Sequence, residues 1–108
     1  MTGPELCEAV AKRMMGWTVK EMDIVAGFRP DLNWDQYKEV EKKVLGESYC
    51  IDVCVYHDQI NVIIYPTIHI IEPPVMAMEF PRDRFTELHA RLETLLDAWR
   101  KMKGQDDD

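Results

Sequence analysis

Apolar side chains recur along the chain in two rhythms, helical at both ends and alternating in the middle. Leu6, Val10 and Met14 repeat at helical spacing near the start, behind a Thr2–Glu5 capping box, and Gly16 supplies a left-handed stop. Trp17 to Ile24 alternates weakly, as a short strand would, and Gly27 to Asp31 reads as a loop. Asn33 then caps a second helix, with Gln36 at the matching capping-box position and Leu32 and Tyr37 at the two positions of a hydrophobic staple. That helix is expected to bury Trp34, Tyr37, Val40 and Val44 and to end at Gly46.

From Tyr49 the period changes to two. Ile51, Val53 and Val55 share one face, and after a turn at His57–Gln59 the residues Ile60, Val62 and Ile64 continue it. The other face is mixed, with Cys50, Asp52, Cys54 and Tyr56 on one strand and Asn61, Ile63 and Tyr65 on the next. Thr67 to Ile71 is predicted as a third strand and Val75 to Phe80 as a fourth, placed at an edge. Pro81 is expected to open a last, long helix, where its missing N–H costs nothing. Phe85, Leu88, Leu92, Leu95, Trp99 and Met102 step along that helix by three and four, and Leu96 widens the stripe.

This order implies an α+β domain: a small antiparallel sheet of three to four strands, packed with two N-terminal helices and one long C-terminal helix. Both strand faces carry apolar residues, so helices are expected on both, as α/β/α layers. Residues 1–104 form a single domain, and 105–108 are an acidic, disordered tail. A chain of 108 residues buries roughly two-thirds of its unfolded surface, enough to fold without metal or disulfide.

Charge narrows the partners. The net charge is −7 and no window concentrates Lys or Arg, which argues against a nucleic-acid partner. No apolar run is long enough for a membrane helix and no secretory signal is present, so the expected location is cytoplasmic. Cys7, Cys50 and Cys54 lack framework spacing and are expected as free thiols.

Candidate chemistry adds little. Cys50 and Cys54 would lie about 13 Å apart along a strand, too far to share a zinc ion. No nucleophile elbow, phosphate-binding glycine loop or zinc-protease helix is present. We therefore expect no enzyme, no cofactor and no metal. His89 is expected to face solvent. What remains is surface. The mixed strand face would gather Asp52, Tyr56, Asn61, Tyr65 and His69 as a candidate binding face, since tyrosines beside Asn and His give rigid area with hydrogen bonds. On the last helix Leu92, Leu95, Trp99 and Met102 form a candidate homodimer seam.

The segment Glu5-Leu6-Cys7-Glu8-Ala9-Val10-Ala11-Lys12-Arg13-Met14-Met15-Gly16-Trp17 resembles the opening of phage ABA sandwich domains, with their Leu-x-x-x-Val-Ala-x-x-x-Met-Gly-Trp pattern. Tyr37 to Lys42 looks like their second helix and Tyr49 to Tyr65 like their strands, whereas the long leucine-rich last helix departs from the family. The resemblance implies an α/β/α fold in a phage or prophage protein of unassigned role. Small acidic phage proteins often inhibit host machinery, including defence systems, so the resemblance points to an anti-CRISPR-like inhibitor of a host protein. The alternatives are a sponge for a defence-signalling nucleotide, with Arg29, Arg82 and Arg84 as candidate cations, and a homodimeric structural or chaperone-like protein.

Overall fold

The computed structural model describes residues 2–16, 27–67 and 74–103. Helix α1 spans Gly3–Ala9 and runs into a π-helical segment, Val10–Met14, in which Met15 N–H bonds the Val10 carbonyl. Helix α2 is Trp34–Leu45, strands β1, β2 and β3 are Tyr49–Val55, Gln59–Pro66 and Met76–Pro81, and helix α3 is Glu87–Lys103. The fold is α+β, with three helices and a three-stranded antiparallel sheet of order β1-β2-β3. The predicted strands at 17–24 and 67–71 fall wholly or almost wholly outside the described residues, as do Gly104 and the acidic tail.

Local chemistry sets most element ends. Thr2 Oγ1 accepts from Glu5 N–H at the start of α1, and Asn33 Oδ1 accepts from Gln36 N–H at the start of α2. Gly16 and Gly46 follow their helices with φ of 70° and 58°, a conformation that needs glycine. Gln36 does not complete a capping box. Its side-chain oxygen accepts from Arg29 N–H and its nitrogen donates to the Gly27 carbonyl, so it ties the preceding loop to α2. The staple is also absent. The Pro30–Leu32 turn, closed by Leu32 N–H and Asn33 N–H on the Arg29 carbonyl, sends Asp31 inward and leaves Leu32 66% exposed. Trp34 is 45% exposed, because it covers the edge of Tyr37 rather than entering the core.

The hairpin register pairs Ile51 with Ile64, Val53 with Val62 and Val55 with Ile60, so the anticipated apolar face forms. Strand β3 adds Met76, Met78 and Phe80 to it. Pro81 ends β3 instead of opening a helix. Its carbonyl accepts from Arg84 and Phe85 N–H in one uncontinued turn, and Thr86 Oγ1 caps α3 through His89 N–H.

Helix α3 is the centre of the molecule. One side packs on β2 and β3, the other on α1, the π-helical segment and α2. Two stripes of α3 are therefore buried. The leucines Leu88, Leu92, Leu95 and Leu96 join Leu6, Val10, Met14, Tyr37, Val40 and Ile64 in the main core. A second stripe of small residues, Ala90, Thr94 and Ala98, is fully buried, with Ala90 set against Ile60, Val62 and Phe80. Thr94 satisfies its hydroxyl on the Ala90 carbonyl.

The described helices thus all gather on one side of the sheet. The described layers run helices, α3, sheet, and the second helical layer expected on the other face is not found among the described residues. Leu92 and Leu95, proposed above for a dimer seam, are 0% exposed within the single chain. Trp99 and Met102 pack against the same core but stay half-buried, so of the four only Leu92 and Leu95 are interior.

Candidate functional site

The sheet face that no described helix covers is built by strand alternation alone. Side chains at Cys50, Asp52 and Cys54 of β1 lie beside Tyr65, Ile63 and Asn61 of β2, and Ile63 and Asn61 lie beside Ala77 and Glu79 of β3. Asp52, Cys54, Ala77 and Glu79 are exposed, while Cys50, Asn61, Ile63 and Tyr65 are half-buried. Among the described residues no helix lies over them. Three of the five anticipated binding residues, Asp52, Asn61 and Tyr65, share this face. Tyr56 stands at the hairpin end of β1, 49% exposed, and His69 lies outside the described residues.

The hairpin turn is pinned at its base. Tyr56 N–H bonds the Gln59 carbonyl, Arg82 N–H bonds the Asp58 carbonyl, and the Arg82 guanidinium donates to the Tyr56 carbonyl at 3.0 Å. The Tyr56 phenol is held above its ordinary pKa, chiefly by the neighbouring Cys54, with the Asp52 carboxylate adding to the shift. Cys50 Sγ lies 3.3 Å from Thr67 Oγ1 at the opposite end.

The face is rich in acceptors. Asp52 and Glu79 are carboxylates, and Asn61 Oδ1 is buried without a hydrogen-bond partner. Asn61, Ile63, Ala77, Met78 and Glu79 line a shallow depression of about 360 Å³. A second, of about 280 Å³, lies between Asp58, Gln59, Glu79, Phe80 and Pro81. Both include Glu79, and neither is lined by Lys or Arg. Such a surface suits a cationic donor set against apolar contacts, not an anion.

Glu79 and Ala77 were missed by the sequence reading. Their parity places them opposite Phe80 and Met78 on β3, a signal that becomes usable only once β3 is known to pair with β2. Two of the arginines considered for a nucleotide have structural roles: Arg82 holds the hairpin, and Arg29 forms a two-point bond with Asp31 at 2.8 Å through both nitrogens.

A buried polar group lies across the molecule. Cys7 Sγ donates to Asp31 Oδ1 at 2.9 Å, and Asp31 also takes Arg29. The Arg29 bonds hold the Asp31 carboxyl below its ordinary pKa, against its burial. Burial, then the bond to Asp31, pushes the Cys7 thiol up to about 11. A thiol held protonated in this way is a poor nucleophile. His89 does not face solvent as expected. Phe85 folds back over Phe80 and covers the ring edge-on at 5.1 Å, leaving His89 Nε2 3.6 Å from Glu93.

Among the described residues no cluster of three His, Cys, Asp or Glu side chains is placed to hold a metal, and no helix is long and apolar enough to cross a membrane. No protein-family model matches the chain, and the searches of curated proteins and of solved structures also find no match.

Proposed function

We propose that this is a non-enzymatic binding protein that docks a basic protein surface on the sheet face that no described helix covers. The observation that carries the reading is the pair of exposed carboxylates on that face, Asp52 and Glu79, interleaved with Ile63, Tyr65 and Ala77. Lys or Arg side chains of a partner would donate to the carboxylates, while Tyr65 and Ile63 supply the apolar contact that excludes water. The net charge of −7 speeds encounter with such a surface and repels nucleic acid.

The resemblance to phage ABA sandwich domains extends this proposal to an accessory protein that inhibits a host protein by covering its basic, functional surface. A phosphate-bearing signal molecule is the weaker reading, because neither depression on the face offers a cation.

The test is a paired pull-down from bacterial lysate with the full chain, the doubly substituted Asp52→Lys/Glu79→Lys protein, and the doubly substituted Glu39→Lys/Glu47→Lys protein, exposed and away from the face, as a charge-matched control. A protein retained by the wild type and the control but lost by the Asp52→Lys/Glu79→Lys variant supports the reading. Equal retention by all three, or by none, contradicts it.

A further inference from the structure

We propose that β1 pairs with β1 of a second copy, antiparallel about a two-fold axis through Asp52, joining two sheets into one. The inference stands apart from the partner reading above and uses a different part of the strand, its outer edge.

Among the described residues β1 ends the sheet. Its hydrogen-bonding phase follows from the bonds at either end: Tyr56 N–H to the Gln59 carbonyl, and Thr67 N–H to the Ser48 carbonyl. In the register of this pair, even-numbered residues of β1 therefore bond β2. The N–H and C=O groups of Tyr49, Ile51, Val53 and Val55 point outward. Exposed strand edges of this kind are normally blunted by Lys, Pro or a bulge. Strand β3 carries Pro81 and Glu79 at its outer edge. Strand β1, Tyr-Cys-Ile-Asp-Val-Cys-Val, has no Lys and no Pro.

The same strand is close to a palindrome about Asp52. An antiparallel self-pair centred there sets Ile51 opposite Val53, Tyr49 opposite Val55, and Cys50 opposite Cys54, each twice. The outward-bonding odd residues fall opposite one another, as a ladder needs. Helix α3 lies over β2 and β3, which leaves Val55 44% exposed and Ile51 and Val53 only partly covered. The two-fold brings these side chains against their equals on the helix side of the joined sheet. On the open side the two Asp52 carboxylates meet, exposed to solvent. That is the one opposing contact in the register, and it makes the pairing weaker at low salt.

The register places Cys50 and Cys54 of different copies in narrow, non-hydrogen-bonded positions, where Cα atoms stand about 4.5 Å apart, within disulfide range. Within one chain the two thiols lie too far apart along the strand to join. A thiol-specific oxidant therefore reports the register. With diamide, the two thiols form an S–S bond and their hydrogens pass to the azo nitrogens, giving the hydrazide.

Full-length Cys50→Ser and Cys54→Ser proteins are oxidised with diamide separately and as an equal mixture, then run on non-reducing gels. The register predicts covalent dimer in the mixture and none in either variant alone. No dimer in the mixture, or equal dimer in a single variant, overturns it. Light scattering across a concentration series gives the second readout. The wild type should rise toward twice the monomer mass, and Val53→Pro, which removes an outward N–H and no hydrogen bond to β2, should stay monomeric with an unchanged circular dichroism spectrum. A wild type that is monomeric throughout, or a Val53→Pro protein that still dimerises, overturns the pairing.

Discussion

Cys7 and Asp31, far apart in the chain, are joined by a 2.9 Å bond from thiol to carboxylate. This bond, with Arg29 on the same carboxylate, fastens the loop before α2 to α1. Removing one partner of a buried polar contact costs more than the contact is worth, because the other is left without water. Asp31→Ala should therefore lose about 2–3 kcal/mol and Cys7→Ala about 1–2 kcal/mol in urea unfolding. The double variant should fall short of the sum by more than about 0.5 kcal/mol. Strict additivity would mean that the two groups do not interact.

Gly3 tests the same contact from the backbone side. It lies in the first turn of α1, where Ala would ordinarily stabilise a helix by about 0.5–1 kcal/mol. Here a Cβ would overlap Asp31 Oδ2 and crowd the Arg29 guanidinium. The sign should reverse, with Gly3→Ala destabilising by about 1–3 kcal/mol. In an Asp31→Ala background the penalty should disappear. Thermal unfolding of the four proteins decides it.

Stability should respond to pH at both ends of the scale. The folded pKa of Cys7 is raised from 9.0 to about 11, so the thiol's contribution is whole below pH 9 and fades as pH rises toward 11. The loss is on the order of 2 kcal/mol by pH 11. Burial also pushes Tyr37 above its ordinary 10.0, adding to the decline at higher pH. Asp31 works in the opposite sense. Its pKa is depressed, so its contribution is present above the ordinary carboxylate range and is lost as pH falls through the folded value. Cys7→Ala should flatten the alkaline limb and shrink the acid limb only in part, since the Arg29 bonds are the larger cause of the Asp31 depression.

Arg91 joins α2 to α3. Its guanidinium lies 5.1 Å from the Trp34 ring centre and 5.6 Å from that of Tyr37, with Glu87 at 3.0 Å and Glu41 at 3.6 Å. Glu41 also accepts from the Tyr37 hydroxyl at 2.8 Å. Arg91→Ala should cost about 1–2 kcal/mol, and Arg91→Lys should recover less than half, since a point charge cannot stack on two rings while bonding two carboxylates. Urea midpoints of the two variants give the comparison.

Much of this fold was legible because it rests on periodicity. The register of Ile51, Val53 and Val55 with Ile60, Val62 and Ile64 follows from alternation and a short turn, and both helix stops from glycine. The failures share a cause. Asp31 inside with Leu32 outside, Gln36 on the loop, and His89 under Phe85 are all decided by tertiary partners that no local pattern announces. Among the described residues the helices lie on the Ile60, Val62 and Ile64 side of the sheet, where α3 buries its Ala90–Thr94–Ala98 stripe as well as its leucines. The binding face was half visible: Asp52, Asn61 and Tyr65 came from alternation, Ala77 and Glu79 only from the pairing of β3.

The openness of the sheet face is the claim on which the functional reading stands, and the three free thiols report on it directly. Cys54 is exposed on that face, Cys50 half-buried on it, and Cys7 buried in the core. Native protein treated with a chromogenic disulfide should titrate Cys54 at once, Cys50 more slowly, and Cys7 only after denaturant is added. Protection of Cys54 to the level of Cys7 in the native protein would contradict the account, because it would place a covering layer over the face assigned to the partner.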